Sequence, residues 1–532
     1  MRPYIESNME DYDEPSSSDS SSIAQDSEFQ EAVVEHQMTL LGSESDTDDD
    51  RSKSEHAPII AGCALDVVVN QDGEETVSDG IPQLGLLAGS MHKLSLIKKG
   101  EAFSKETDPR LFFNVSHPSS VFICGSQGSG KSHTLSCLLE NCLIQSKAGK
   151  LPNPLTGLVF HYDTFFSDVT GSPCEAAFLS SHPDVKVRVL CSPTNVWPIT
   201  QAYSRLDVSV EPLYIDQNDL NTERMMDLMA VSQGDGELPL YMHTAKRILR
   251  EMRTSQQETQ SGFDYKAFKN KILDSGLTPG QLEPLKQRLE MLESFMPQLQ
   301  VTKATYKRAQ TLPKQGSLWE PKAGQLTILD LSCPCISPGT ACSLFNISLA
   351  IFMEQESDIG RVVALDEAHK YMKTSSEAQA FTETLLSVVR LQRHLAARII
   401  ISTQEPTVST DLLNLCTATI VHRFTSPEWL RILQKHLAGA ATNPFSRKKG
   451  KAGGRGTDGE EGQLDEANEK SLFNHIVNLR VGEALLFSPS SIVDVSIDED
   501  GGYELRRLGS EYLAIRVRQR ITKDGGRSVL AV

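Results

Sequence analysis

The sequence predicts an α/β fold with a mostly parallel central sheet, an all-helical insertion and a disordered acidic N-terminal tail. Three observations predict it. From about residue 118, short apolar segments alternate with helix-length ones; residues 205–320 interrupt this with polar, long-helical sequence; and residues 1–60 are dominated by Ser, Asp and Glu.

The tail comes first. Residues 1–60 carry 16 acidic and 3 basic side chains, so they supply -13 of the chain's net charge of -18. A segment with runs such as SSSDSSS and SESDTDDD buries too little apolar surface to offset its ordering entropy, and it suits solubilisation, phosphorylation or partner docking. The remaining 472 residues hold -5 and are near neutral, with no concentrated basic face readable from sequence. Of the whole chain, 39% is hydrophobic and 23% charged, which is ordinary globular material. There is no apolar run of eighteen residues and no leader-like N-terminus, so an intracellular, soluble protein is expected, nuclear or cytoplasmic, with no membrane contact. The ten cysteines are scattered; Cys124, Cys137, Cys142 and Cys416 sit in apolar segments, and Cys333-x-Cys335 has no second pair at zinc spacing. Structural thiols are expected, not disulfides or a metal site.

The expected domains follow in order. Residues 61–117 are a short β-rich lead-in, and residues 118–204 are the first part of the core, with strands at SVFIC (120–124), GLVFHY (157–162) and VKVRVL (185–190) and a helix over 131–145. After the insertion, residues 321–438 resume the sheet at LTILDL (326–331), RVVALD (361–366), RIIIS (398–402) and TIVHRF (419–424), with helices near 340–355 and 375–396. Residues 439–468 are Gly-rich and charged and read as a flexible loop, and residues 469–532 as a helix–strand closure with an Arg-rich tail.

The chemistry-bearing residues sit where strands end. GSQGSGKS (125–132) matches the phosphate-binding GxxxxGK[ST] pattern in full, with an apolar strand before it and a helix after. Its glycines let backbone N–H groups turn towards phosphates, Lys131 would reach the β- and γ-phosphates, and Ser132 would ligate Mg²⁺. Such a loop needs an acid at the end of another buried strand. Asp330 is followed by Leu-Ser, whereas Asp366 is followed by Glu367, so Asp366–Glu367 supplies a metal-holding acid beside a base able to polarise water. RIIISTQEP (398–406) ends in Gln404, placed to sense the γ-phosphate or position water. The preceding helix is expected to carry Arg390 and Arg393 on one face, as a solvated surface or as an arginine finger. DEAH (366–369) spells the name of an RNA helicase group, but the next strand ends Ser-Thr-Gln-Glu-Pro and no glycine-punctuated arginine motif follows; Ala368 and His369 are expected to decide little.

In this order, the motifs resemble the HerA/FtsK superfamily of P-loop motors, which includes the conjugative and type IV secretion coupling ATPases, over about residues 105–500. RHLAARIIISTQEP (393–406) lines up without a gap on a stretch similar to the family's GRKxGxxLxxxSQRP. Glu405 stands where those proteins often have arginine, and residues 61–117 are too few for a full N-terminal β-barrel. The resemblance implies a RecA-like P-loop NTPase core with ATP and Mg²⁺ as cofactors. Gly125, Ser126, Gln127, Gly128, Ser129, Gly130, Lys131, Ser132 and His133 would bind nucleotide, Ser132 and Asp366 the metal. Glu367 would be the general base, Gln404 the sensor, Lys131 a catalytic cation and Arg393 a finger reaching into the next subunit of a homo-oligomeric ring such as a hexamer. It also implies two alternatives: translocation of double-stranded DNA, or remodelling of protein partners engaged through the acidic tail.

Overall fold

The computed structural model describes residues 56–69, 81–165, 171–229, 240–301, 315–437, 440, 471–497 and 503–525. The acidic tail and the loop expected at 439–468 lie almost wholly outside them.

Among the described residues, sixteen strands form one sheet. In chain order the N-terminal part runs β1 (Ile59–Ala61), α1 (Gly62–Val69), β2 (Leu84–Ser90), α2 (Met91–Lys98), β3 (Arg110–Asn114), β4 (Ser120–Cys124), α3 (Lys131–Leu143), β5 (Gly149–Lys150) and β6 (Thr156–His161). Next come β7 (Lys186–Cys191), α4 (Val196–Tyr203) and β8 (Val208–Pro212), then five helices: α5 (Thr222–Met229), α6 (Leu240–Thr259), α7 (Tyr265–Leu273), α8 (Pro279–Ser294) and α9 (Gln298–Val301). The sheet resumes with β9 (Gln325–Asp330), α10 (Pro338–Glu354), β10 (Arg361–Leu365), α11 (Ser376–Arg390), β11 (Ala397–Thr403), α12 (Thr410–Leu415), β12 (Ala418–Val421) and α13 (Pro427–His436). It closes with β13 (Glu483–Phe487), β14 (Ile492–Ile497), β15 (Tyr503–Arg507) and β16 (Leu513–Val517).

Eight neighbouring strands, in the order β12-β4-β11-β10-β6-β9-β7-β8, are all parallel. The near-continuous apolar composition of β4, β10 and β11 follows from being covered on both faces. Alternation along each strand sorts the side chains. Phe122, Phe160, Val363, Leu365, Ile399 and Ile401 face the core shared with α10, α11 and the helices of the insertion. Val121, Ile123, Val159, Val362, Ala364 and Ile400 face the core shared with α3. Beyond β12 the order β13-β16-β2-β3-β1 is antiparallel, so chain ends far apart in sequence complete one wing.

Two features differ from the expected elements. Val208–Pro212 forms the edge strand β8, so the helical segment starts after Pro212 and not at 205. The helix expected over 375–396 stops at Arg390; Ala396 takes a left-handed φ of 47°, and the turn brings Ala397 into register with Arg361. Arg393 is therefore in a turn, not on a helical face with Arg390. Among the described residues no helix is long and apolar enough to cross a membrane, and none of the ten cysteines is in a disulfide.

Candidate functional site

The strand order places the predicted chemistry along one sheet edge. The Gln404-bearing β11 lies between β4, which feeds the glycine-rich loop, and β10, which feeds Asp366–Glu367. All three are parallel, so their C-terminal ends open on the same edge, the place where α/β sheets bind ligands. Asp330 ends β9, separated from β10 by β6; it accepts from Tyr203 Oη at 2.6 Å and from Ser332 N–H at 3.0 Å, a strand-end cap.

The loop 125–130 is tightly folded. Gly125, Gly128 and Gly130 have φ of 151°, 71° and 109°. A Cβ on Gly125 would come 2.7 Å from His422 Cβ, which leaves it no room, and one on Gly130 would sit tightly, 3.1 Å from the Gly482 nitrogen, on a backbone whose φ already disfavours a side chain. Ser126 N–H donates to Arg423 O at 2.8 Å, and Ser129 N–H and Oγ both turn to Ser126 O. The N–H groups of the first turn of α3 have no partners within the helix, and Lys131, Ser132 and His133 line the cavity. Lys131, 4% exposed, donates to Ser126 O at 3.1 Å. Burial lowers its ammonium from the usual lysine value, while the charges of Glu367 and Asp366 oppose that shift. Gly128, Gly130, Lys131, Ser132, His133 and Glu367 line one side of a cavity of ≈ 560 Å³, a size suited to a small ligand. Gln127 is exposed.

The acids follow the end of β10. Asp366 is buried, and its Oδ2 lies 3.2 Å from His161 Nδ1 and 3.7 Å from Cys174 Sγ, while Oδ1 has no hydrogen-bond partner. Burial alone would raise the Asp366 carboxyl, but the hydrogen bond and charge of His161, with Lys370 and Cys174, hold it below the usual aspartate range. Glu367 turns through a left-handed φ of 49° and leaves the strand line, which brings its carboxylate to Gln404: Gln404 Nε2 donates to Glu367 Oε2 at 3.2 Å. His369 Nδ1 lies 3.2 Å from the same oxygen and 3.4 Å from the Gln404 backbone nitrogen. His369 thus contacts the Glu367–Gln404 pair. Tyr371, fully buried against Phe345, anchors the segment.

Arg393 is not brought to this cluster. It is exposed in the turn before β11, at the opposite edge of the sheet, close enough to His117 to help lower that imidazole to about 4, behind burial and His56.

Three parts of the site were not anticipated. His161 and Cys174 flank Asp366. The C-terminal segment walls the cavity with Arg516, Val517, Arg518 and Gln519, and Arg518 O accepts from His133 Nε2 at 2.8 Å, which fixes His133 to that wall. His422, fully buried behind the loop, has Nδ1 3.1 Å from Glu483 O and Nε2 2.9 Å from Thr134 Oγ1. The carbonyl requires a proton on Nδ1, so Nε2 accepts from Thr134. Burial lowers this imidazole to about 4. Between pH 6.5 and about 4 the unfolded chain therefore binds a proton that the folded chain does not, so stability is full above pH 6.5 and is lost as pH falls. From pH 7 to pH 5 this group should remove about 2 kcal/mol, and His422→Gln should flatten the pH dependence of the urea midpoint by that amount. An unchanged slope would show that His422 is not the group responsible.

No family model matches the chain, and no curated protein matches it. Among solved structures it is similar to VirB4 of Thermoanaerobacter pseudethanolicus, with 12% identity over 82% of this chain and 97% of that one, and a TM-score of 0.43. It is also similar to the bacterial conjugative coupling protein TrwBdeltaN70, with 11% identity over 83% of this chain and 96% of that one, and a TM-score of 0.39. A third is B204, the DNA-packaging ATPase from Sulfolobus Turreted Icosahedral Virus, with 11% identity over 73% of this chain and 98% of that one, and a TM-score of 0.24. At these scores the functional reading rests on the geometry of the site itself.

Proposed function

We propose that the chain binds ATP with Mg²⁺ in this cavity and hydrolyses its terminal phosphoanhydride bond. The observation that carries the reading is the meeting of a buried Lys131, at the end of a glycine-rich loop, with Asp366 and a Glu367 held by Gln404. The first-turn N–H groups of α3 and Lys131 bind the β- and γ-phosphates, with Lys131 exchanging Ser126 O for phosphate oxygen. Gln404 orients a water, Glu367 takes its proton as the water attacks the γ-phosphorus, and ADP leaves.

The residues present fit Mg²⁺. Asp366 Oδ1 is buried without a hydrogen-bond partner, and Ser132 lines the same cavity as Glu367; Asp366 and Ser132 would hold the ion, all-oxygen ligands of the kind it takes. Bound there, it would neutralise charge developing on the phosphate oxygens.

The ring belongs to the same proposal. Arg393 lies at the sheet edge away from its own loop, so it serves as a finger only in a neighbour's site. The motif order supports a HerA/FtsK-like motor; double-stranded DNA is the cargo to which that resemblance points, and a protein partner the alternative. The test is ATP binding and phosphate release by the purified full chain at low salt, with and without double-stranded DNA. Wild type should bind and turn over ATP, and Lys131→Ala should lower kcat/KM by about 10²–10³-fold. Salt-sensitive stimulation by DNA supports translocation, turnover indifferent to DNA supports protein remodelling, and absence of ATP binding overturns the proposal.

A further inference from the structure

We propose that His161, Cys174 and Asp366 form a binding site for a zinc-class divalent ion, distinct in chemistry from the Mg²⁺ site, through which such an ion switches hydrolysis off. The three residues come from separate segments: the end of β6, the start of the short helix Glu175–Ser181, and the end of β10. All three are buried, and one ligand atom from each lies within 4.8 Å of the others.

The spacing fits an ion. Tetrahedral zinc with bonds of about 2.0–2.1 Å to nitrogen and oxygen and about 2.3 Å to sulfur sets N···O edges of about 3.3 Å and S···O edges of about 3.6 Å. The observed edges are 3.2 Å from His161 Nδ1 to Asp366 Oδ2 and 3.7 Å from Cys174 Sγ to the same oxygen. A thiolate and an imidazole select a softer ion than Mg²⁺. The incoming ion displaces the thiol proton and the proton between His161 and Asp366; thiolate and carboxylate together then balance its two charges, which lets it sit in a buried place. Two polar atoms of the cluster, Asp366 Oδ1 and His161 Nε2, are buried without a hydrogen-bond partner, so its polar capacity is not used up by the protein.

The regulatory consequence rests on the proposed ATPase reading, because Asp366 is then shared. An ion drawing charge from Asp366 weakens its hold on Mg²⁺, so occupancy of the cluster inhibits turnover.

The test starts from metal-free full chain. Titration with Co²⁺ as the spectroscopic stand-in should give a thiolate-to-metal charge-transfer band at one equivalent, and dialysis against Zn²⁺ should leave one ion per chain by elemental analysis. Loss of a mere outer-shell partner costs about 10–100-fold in metal affinity, so loss of a ligand in Cys174→Ser should cost at least about 100-fold. Cys335→Ser, on an exposed thiol, should change nothing. Absence of the thiolate band in wild type overturns the site whatever the variants do, as does a Zn²⁺ stoichiometry that Cys174→Ser leaves intact. Lys131→Ala should lose ATP and keep Zn²⁺. Wild-type phosphate release should fall by at least half at one equivalent of Zn²⁺; bound Zn²⁺ with unchanged turnover overturns the switch. A chain that binds Zn²⁺ and never hydrolyses ATP overturns the ATPase reading and with it the switch, leaving the site.

Discussion

Glu367→Gln should lower kcat for ATP hydrolysis by about a thousandfold, the worth of a positioned general base, while ATP affinity stays within a few-fold of wild type. The argument is geometric. Glu367 leaves the strand line at φ 49°, and its Oε2 lies within 3.2 Å of both Gln404 Nε2 and His369 Nδ1. The amide of glutamine keeps the volume and one acceptor oxygen, so the Gln404 contact and the phosphate-binding loop persist. What disappears is the ability to accept a proton from water. Phosphate release, with equilibrium nucleotide binding measured in parallel, checks both halves. Unchanged turnover removes Glu367 from the reaction, and loss of binding would mean that it supports the loop instead.

Glu140→Ala should cost about 3–5 kcal/mol of folding stability, the usual penalty for breaking a buried charge cluster from one side. Glu140 lies on α3, the helix that begins at Lys131, and is fully buried. It accepts from Thr522 N–H at 3.0 Å, Thr522 Oγ1 at 2.6 Å and Arg518 Nη1 at 2.7 Å, with Arg520 Nε 3.8 Å away. Burial would raise its carboxyl, but Thr522, Ile521 and Arg518 hold it below the usual glutamate range. Arg520, with its side chain 2% exposed, also reaches Glu175. Removing the carboxylate leaves both guanidiniums buried with less compensation and frees the segment that walls the cavity. Guanidinium denaturation measures the loss, and a change below about 1 kcal/mol would assign the cluster to surface-like behaviour.

That cluster also marks where reading the sequence reached its limit. The glycine-rich loop, Asp366 and Gln404 were legible because each motif is local: an apolar strand, a turn, then a polar residue. The preference for Asp366 over Asp330 comes from one adjacent residue, Glu367; β10 lies beside β11, whereas β9 is separated from β10 by β6. The contacts of Glu140 with residues 518–522 span some 380 positions, which no local pattern encodes; in the sequence this segment is only an Arg-rich tail. His161 lies within an expected strand and Cys174 in no motif, and only the sheet brings them to Asp366. The helix expected through residue 396 failed because VVRLQRHLAA has helical composition throughout, while the turn after Arg390 is dictated by pairing of β11 with β10. The short VSVEP strand lay hidden at the border of polar helical sequence, and its partner β7 alone gives it a place.

The central claim is that this cavity hydrolyses Mg²⁺-ATP. Phosphate release by the purified full chain, measured with Mg²⁺ and again after chelation, tests it most directly. The account predicts multiple turnovers that stop on chelation and in Lys131→Ala. ATP bound and recovered intact, with no ADP formed in the presence of Mg²⁺, would contradict it.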